Sequence, residues 1–174
     1  KPDVLNPDKK LNDDILDSIR NGKSTADAIL TTDLVEKTTT RTVMIGKKSI
    51  TVTGMTKGSG MIAPNMATTL LFLVTDAKIP KNILQLYLNK AINRSFNMLS
   101  VDTDTSTNDM GLLFSTGEHK IDNESKEART LFQELLTDVC IDLAKKIAMD
   151  GEGATKMIEV QVKNAQSVLD AKKI

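Results

Sequence analysis

The chain has very few of the side chains that build metal and redox centres. Its 174 residues include one cysteine, Cys140, and one histidine, His119. One cysteine cannot form a disulfide within the chain, so we expect a reducing compartment, and the two residues are too few for a metal site built from histidines and cysteines. Cys140 falls on an apolar helical stripe and is predicted to be a core residue. His119, beside Gly117 and Lys120, is predicted to lie in an exposed turn without a chemical role.

Aromatic side chains and net charge are also scarce. Aromatic residues make up 3% of the chain, tryptophan is absent, and 23 Lys and Arg balance 23 Asp and Glu. The chain therefore lacks both the stacking surface used for single-stranded nucleic acid and the overall positive field that attracts phosphates. We expect neither nucleic acid nor a membrane as a partner.

Long apolar runs are missing as well. The longest covers residues 70–74, whereas a membrane-spanning helix needs about 20 apolar residues. No charged-then-apolar secretion signal opens the chain, and its 40% hydrophobic content predicts a soluble globular protein with an ordinary core. Because the chain begins at Lys1 and Pro2 rather than at methionine, we expect a piece of a longer protein.

The hydrophobic pattern switches between helical and strand periods, which predicts a mixed α/β chain. Helical spacing and start signals predict helices over residues 11–20, 25–30, 80–92 and 128–147, with a weak one towards residue 174. Alternating or uniformly apolar runs predict a hairpin around Gly46 and strands at residues 70–75, 111–114 and 157–162. No repeat or linker divides the chain.

A glycine-containing loop ends at a threonine just before the apolar run of residues 70–74: residues 57–68 read KGSGMIAPNMAT. A threonine hydroxyl is a poor nucleophile at neutral pH, but cleavage of the bond before Thr68 would free an α-amine, with a pKa of about 7.7 to 8, that can take the hydroxyl proton. The small side chain of Ala67 leaves the scissile carbonyl accessible, and loop amides are candidate oxyanion donors. The loop therefore predicts a self-cleavage site, although the residues alone do not choose between Thr68 and Thr69.

The glycines of this loop also have a plainer interpretation. Gly58 and Gly60 are compatible with an ordinary flexible turn between two strands. Their spacing matches neither the Walker pattern nor the dinucleotide fingerprint, and a strand follows where a helix should begin, so a phosphate site is not expected.

Two further segments are candidates for a site. Residues 102–109, DTDTSTND, alternate carboxylates with hydroxyls but lack the glycine and glutamate that an EF-hand loop requires. They predict a loop held by side-chain to backbone hydrogen bonds, with the lining of a substrate site as the alternative. Glu152, between Gly151 and Gly153, either belongs to a turn after the long helix or is a carboxylate held by close backbone approach and directed at a cationic amine.

Taken together, these motifs resemble the ornithine acetyltransferase family of arginine biosynthesis. The resemblance extends over nearly the whole chain and rests, in the family's order, on residues 31–33, 57–68, 95–97, 101–109 and 150–156. It implies a mixed α/β fold of stacked α/β layers, of the DmpA-like kind, in a self-processed enzyme with an N-terminal nucleophile. Residues 1–174 would form one partial domain region: residues 1–67 the C-terminal part of an α chain, and residues 68–174 the N-terminal part of a β chain.

The resemblance also implies an activity and the residues that perform it. After cleavage between Ala67 and Thr68, Thr68 would take an acetyl group from N-acetylornithine, release ornithine and pass the acetyl group to glutamate in a ping-pong cycle. The family's substrate contacts fall on Thr31, Lys57, Thr68 and Glu152, with Lys57 assigned to the donor's α-carboxylate and Glu152 to its terminal amine. No cofactor is implied, and acetyl-CoA as a second acetyl donor stays open. A cytoplasmic heterotetramer of two α and two β chains is the implied assembly.

The sequence departs from the family at some positions. Thr69 stands where the family usually has methionine, and Thr103 where it usually has glycine. The family's oxyanion-hole threonine and glycine, and its C-terminal substrate asparagine and threonine, match nothing in residues 1–174, so the chain resembles an internal piece. An amidohydrolase or aminopeptidase with the same nucleophile, using water as acceptor, and a binding module without activity are the alternatives.

Overall fold

The computed structural model describes residues 25–63, 69–104, 109–123 and 125–171 of the chain. In chain order the elements are α1 (Thr25–Ala28), β1 (Lys37–Ile45), β2 (Lys48–Lys57), β3 (Leu70–Lys78), α2 (Lys81–Asn93), a 3-10 turn (Phe96–Met98), β4 (Met110–Lys120), α3 (Lys126–Met149) and α4 (Val168–Ala171). The helix expected over residues 11–20, and the predicted cleavage position between Ala67 and Thr68, lie outside the described residues.

Within the described ranges the strands form one sheet in the order β1-β2-β3-β4. β1 and β2 make the predicted antiparallel hairpin, whose turn contains Gly46 at a φ of 62°, a conformation that glycine adopts without a steric penalty. β2 and β3 are also antiparallel, with Lys57 opposite Leu70. β3 and β4 run parallel, with Leu70 opposite Met110. The mixed α/β prediction is confirmed, and the end of β2 and the starts of β3 and β4 meet at one end of the sheet.

Helix α3 covers one face of this sheet. It lies across β1 and β2, and α2 packs against it. The shared layer consists of fully buried apolar side chains: Ile50, Val52, Leu71, Leu73, Phe132, Leu136, Val139, Leu143 and Ile147. Cys140 is buried in this layer, as predicted, and burial raises the pKa of its thiol to about 12. In the part of the chain that the structure describes, no helix has the length and apolarity to cross a membrane.

The opposite face of the sheet carries an apolar strip that is partly open to solvent. The strand registers place Phe72 beside Met55 and Leu112, and Val74 beside Phe114. Val74 is 42% exposed and Phe114 52% exposed. A sheet that is apolar on both faces normally packs a further layer on the second face, so this strip is the surface on which such a layer would lie.

Two local sequence predictions were wrong. His119 does not lie in an exposed turn but in β4, opposite Ala77 and partly buried. Gly117, at a φ of 76°, marks an irregularity in the pairing of β3 and β4, which the sequence pattern presents as a turn. Residues 157–162 do not form the predicted strand; they have no regular secondary structure, and Ile158 is 83% exposed. Alternation marks a possible strand, but a strand also requires a partner for its backbone groups.

Two other predictions were right in type but not in length. The strand expected at residues 111–114 extends over Met110–Lys120, and the one expected at residues 70–75 extends to Lys78. Pairing between these two neighbours continues past the apolar run, and it carries polar residues into the sheet. The weak C-terminal helix is observed over Val168–Ala171, and residues 172–174 lie outside the described residues.

Candidate active site

The glycine loop that follows β2 is held at successive positions. The amide of Gly58 donates a hydrogen bond of 2.6 Å to Oδ1 of Asp33. The hydroxyl of Ser59 lies 2.7 Å from that of Thr32, and the carbonyl of Ser59 accepts a 2.7 Å hydrogen bond from the amide of Glu152. The segment therefore does more than connect two strands, because its backbone is bonded to residues from two distant parts of the chain.

Glu152 places its carboxylate against Gly60. A Cβ atom built on Gly60 would lie 2.7 Å from Oε2 of Glu152, closer than two such atoms can approach. Gly60 therefore makes room for the carboxylate of Glu152, and Glu152 is exposed to solvent. This geometry agrees with a carboxylate held by close backbone approach. Its contact with a substrate amine stays a prediction.

Lys57 and Thr31 meet at the same end of the sheet. The ammonium Nζ of Lys57 donates to Oγ1 of Thr31 across 3.4 Å. Among the described residues the partner of this ammonium is a neutral hydroxyl and not a carboxylate. The charge of Lys57 is thus not neutralised by a described neighbour, which leaves it suited to an anionic group of a ligand.

Asp102 fixes the far side of the glycine loop. Its carboxylate accepts hydrogen bonds from the amides of Met61 (2.5 Å), Ile62 (2.9 Å) and Asp104 (3.2 Å). Desolvation opposes the charged form, but these amide donors outweigh it and hold the pKa of Asp102 below its ordinary value. The prediction of a loop held by side-chain to backbone hydrogen bonds is confirmed for Asp102; residues 105–108 lie outside the described residues.

Asp109 anchors the chain immediately before β3. Its Oδ1 accepts a 2.6 Å hydrogen bond from the amide of Thr69, and the carbonyl of Thr69 accepts one of 3.1 Å from the amide of Met110. Burial raises the pKa of Asp109 above its ordinary value, although the bond from Thr69 acts in the opposite direction. Thr69 is 2% exposed. The residue that directly follows Thr68 is therefore fixed.

A buried ion cluster lies behind the glycine loop. The ammonium of Lys37 donates to Oδ1 of Asp33 (2.6 Å), to Oδ2 of Asp150 (2.5 Å) and to the carbonyl of Val35 (3.2 Å). The side chains of Lys37 and Asp33 are both fully buried. Burial alone would raise the pKa of Asp33, but the hydrogen bonds from Lys37 and from the Gly58 amide hold it below its ordinary value.

Sequence reasoning missed this cluster. Asp33 and Asp150 each lie inside a motif segment, but no spacing rule pairs two residues that are more than 100 positions apart. Lys37 precedes the alternating pattern from which the hairpin was predicted. Of the predicted site residues, Lys57 contacts Thr31, and Glu152 contacts the glycine loop directly after Lys57, at one end of the sheet. Thr68 lies outside the described residues.

Comparison with known proteins agrees with the motifs. The family model described as the ArgJ family matches residues 5–174 of the chain. The chain belongs to the ArgJ family. The family expected from the sequence motifs is thereby confirmed.

Curated ArgJ relatives are similar to the chain over most of its length. It is 53% identical over 154 residues to an arginine biosynthesis bifunctional protein ArgJ of Bacillus cereus, a match that covers 87% of the chain and 38% of that protein. It is 51% identical over 150 residues to the ArgJ protein of Lactococcus lactis subsp. lactis, covering 84% of the chain and 38% of that protein. The chain thus spans 38% of the length of these relatives.

A solved ArgJ structure is also similar to the chain. The crystal structure of arginine biosynthesis bifunctional protein ArgJ from Bacillus halodurans matches with 43% sequence identity and a TM-score of 0.45. The match covers 49% of this chain and 41% of that one.

Proposed function

We propose that the whole protein transfers an acetyl group from N-acetylornithine to glutamate, through an acetyl ester on Thr68, in arginine biosynthesis. The observation that carries the proposal is the meeting of Lys57 and Thr31 with Glu152 around one glycine loop. Since the chain spans 38% of the length of its curated relatives, the activity is proposed for the whole protein.

The charges at this end of the sheet match the two ends of the donor. N-acetylornithine carries an α-carboxylate near its acetamide and an ammonium group at the end of its side chain. Lys57, assisted by the hydroxyl of Thr31, supplies a cation and a neutral donor for the carboxylate, and Glu152 supplies an anion for the ammonium group. Glutamate has the same α-amino acid end, so one carboxylate site serves the donor and the acceptor in turn.

The transfer proceeds in two halves on one nucleophile. The free α-amine of Thr68 takes the hydroxyl proton while the oxygen attacks the acetyl carbonyl, and the α-nitrogen of ornithine leaves with a proton. The amine of glutamate then attacks the acetyl ester, forms N-acetylglutamate and returns the hydroxyl to Thr68. No cofactor takes part in either half.

Self-cleavage between Ala67 and Thr68 is the part of the proposal that creates this nucleophile. The chain is anchored before the cleavage position by the bonds from the Met61 and Ile62 amides to Asp102, and after it by the bond from the Thr69 amide to Asp109. The described backbone is thus anchored on both sides of the proposed cleavage position.

The stacked-layer architecture belongs to the same proposal. The partly exposed apolar strip of Met55, Phe72, Leu112 and Phe114 supports a second layer supplied by the rest of the whole protein. An assembly of two α and two β chains follows if each cleaved protomer pairs with a second one.

Mass spectrometry of the full-length protein tests the nucleophile. We expect the wild-type protein to separate into two chains, the second of which begins at Thr68, and Thr68→Ala to stay intact. Thr69→Val is the matched control, because it removes the neighbouring hydroxyl but keeps the amide that Asp109 binds; it should still be cleaved before Thr68. Equal cleavage of wild type and Thr68→Ala would refute the assignment.

Acceptor dependence separates transfer from hydrolysis. With N-acetylornithine and glutamate together, the cleaved protein should form N-acetylglutamate, and product formation should follow the glutamate concentration. Steady release of acetate without a glutamate effect would instead support the amidohydrolase alternative. Replacing N-acetylornithine by acetyl-CoA in the same assay determines whether the second donor is used.

A further inference from the structure

Lys37 is a buried cation for which the proposed reaction has no direct use. Its side chain is fully buried, and its ammonium group directs its three N–H donors to Asp33, Asp150 and the carbonyl of Val35. A buried charge is costly to remove from water, and it persists only where partners satisfy it completely. The cluster is therefore a fixed junction between the segment before β1 and the end of α3.

Asp33 also holds backbone at or next to two predicted substrate contacts. Asp33 accepts from the amide of Gly58 at 2.6 Å and from the amide of Thr31 at 3.4 Å. Gly58 directly follows Lys57, so Asp33 fixes both members of the carboxylate-binding side.

The second carboxylate, Asp150, belongs to the segment that carries the predicted amine contact. Asp150 is the C-cap residue of α3 and lies two positions before Glu152. It accepts from the amide of Leu34 at 3.0 Å as well as from Lys37. Lys37 thus joins the segment that carries Thr31 to the segment that carries Glu152.

We propose that Lys37, together with Asp33 and Asp150, is a positioning residue that sets the separation between the carboxylate-binding and amine-binding sides, and so selects the donor by chain length. The proposal rests on the proposed function. A donor with a charged group at each end fits only when the two protein charges are held at the matching distance, and a rigid ionic junction holds that distance better than a pliable apolar contact.

Donors that differ by one methylene report on this separation. In the full-length cleaved protein, kcat/KM is measured with N2-acetylornithine, with N2-acetyl-2,4-diaminobutyrate, which is one methylene shorter, and with N2-acetyllysine, which is one methylene longer. Glutamate is the acceptor in each case. We expect wild type to prefer the ornithine derivative by about 10- to 200-fold, the usual range for one methylene.

Lys37→Met removes the ammonium but keeps the length of the side chain. The preference should fall at least tenfold, mainly because KM for the ornithine derivative rises. Lys37→Met combined with Asp33→Asn and Asp150→Asn is the second variant; it leaves no unpaired buried charge, so it gives a folded protein if the single variant does not fold. Lys145→Met is the matched control, because it removes an exposed lysine whose ion pair with Glu159 is 2.7 Å long, and it should keep the wild-type preference.

The results that would overturn the proposal differ from those that would overturn the proposed function. A folded, cleaved variant that keeps the wild-type preference, or that loses kcat equally for all three donors, shows that the cluster serves stability alone. A folded but uncleaved variant also overturns it, since the cluster would then act on cleavage. If wild type uses none of the three donors, the proposed function itself fails.

Discussion

Replacing Gly60 by alanine is expected to move the Glu152 carboxylate without unfolding the protein. The new Cβ would lie 2.7 Å from Oε2 of Glu152 and 3.6 Å from Oδ2 of Asp102. The backbone of Gly60 lies outside the left-handed region, so alanine fits it without strain. The one severe contact is with the tip of a flexible and exposed side chain, which can turn away.

The size of the expected effect follows from these distances. Ordinary contact with a Cβ begins at 3.4 Å, so the carboxylate of Glu152 must retreat by about 0.7 Å or adopt another rotamer. Misplacement of about 1 Å costs up to about 100-fold in rate. We expect kcat/KM for N-acetylornithine to fall by about 10- to 100-fold, mainly through KM, because the contact is made in ground state and transition state alike. Loss of stability should stay below about 1 kcal/mol, because the side chain that must move, Glu152, is exposed.

Gly54→Ala is the matched control for this prediction. Its Cβ would meet Cδ2 of Leu73 at 2.6 Å and Cδ1 of Leu143 at 2.8 Å, inside the layer between the sheet and α3. Overpacking of a core usually costs about 1 to 3 kcal/mol, so this variant should lose stability in urea unfolding but keep its KM.

The assay compares the two variants with wild type in the full-length protein, by steady-state kinetics and by urea unfolding. An unchanged KM in Gly60→Ala would refute the role of Glu152 in binding the donor. A large loss of stability in Gly60→Ala would instead show that the loop, and not the carboxylate, absorbs the contact.

Two further predictions concern stability. Because burial raises the pKa of Asp109 in the folded state, the stability that Asp109 contributes is fully present below the ordinary value of 3.8 and is lost as pH rises through the raised value. Asp109→Asn should remove this loss, so in urea unfolding at several pH values from about 4 to 8 the variant should gain stability relative to wild type until the difference becomes constant. Parallel curves of stability against pH would contradict the prediction. Ser125 accepts a hydrogen bond from the amide of Ala128 at the start of α3, so Ser125→Ala should lower the free energy of unfolding by about 0.5 to 2 kcal/mol. Ser49→Ala, at an exposed strand position, is the control and should leave the free energy of unfolding nearly unchanged. Equal effects of the two substitutions would argue against a capping role for Ser125.

The parts of the fold that could be predicted from sequence are those whose signals are local. The hairpin depends on alternating residues on either side of Gly46, and α3 depends on a helical stripe that begins near Ala128. The wrong predictions depended on partners that no local pattern reveals. Residues 157–162 alternate as a strand does, but they pair with no described strand. His119 was predicted to lie in a turn because a glycine such as Gly117 is typical of turns, but here Gly117 lies at an irregularity in the pairing of two strands.

The candidate site also contains residues that the sequence predicted and residues that only the structure shows. Resemblance supplied Thr31, Lys57 and Glu152, the side chains that would touch the substrate, but not the groups that hold them. Asp33 lies two positions after Thr31, and Asp150 two positions before Glu152; both bind one ammonium, although the second is 113 positions from Lys37 along the chain. Residues 31–33 therefore carry a predicted substrate contact and a carboxylate that fixes the backbone beside it, whereas residues 150–152 carry a predicted contact and a carboxylate that bonds to Leu34 and Lys37. Sequence patterns give both kinds of residue equal weight, and only their hydrogen bonds tell them apart.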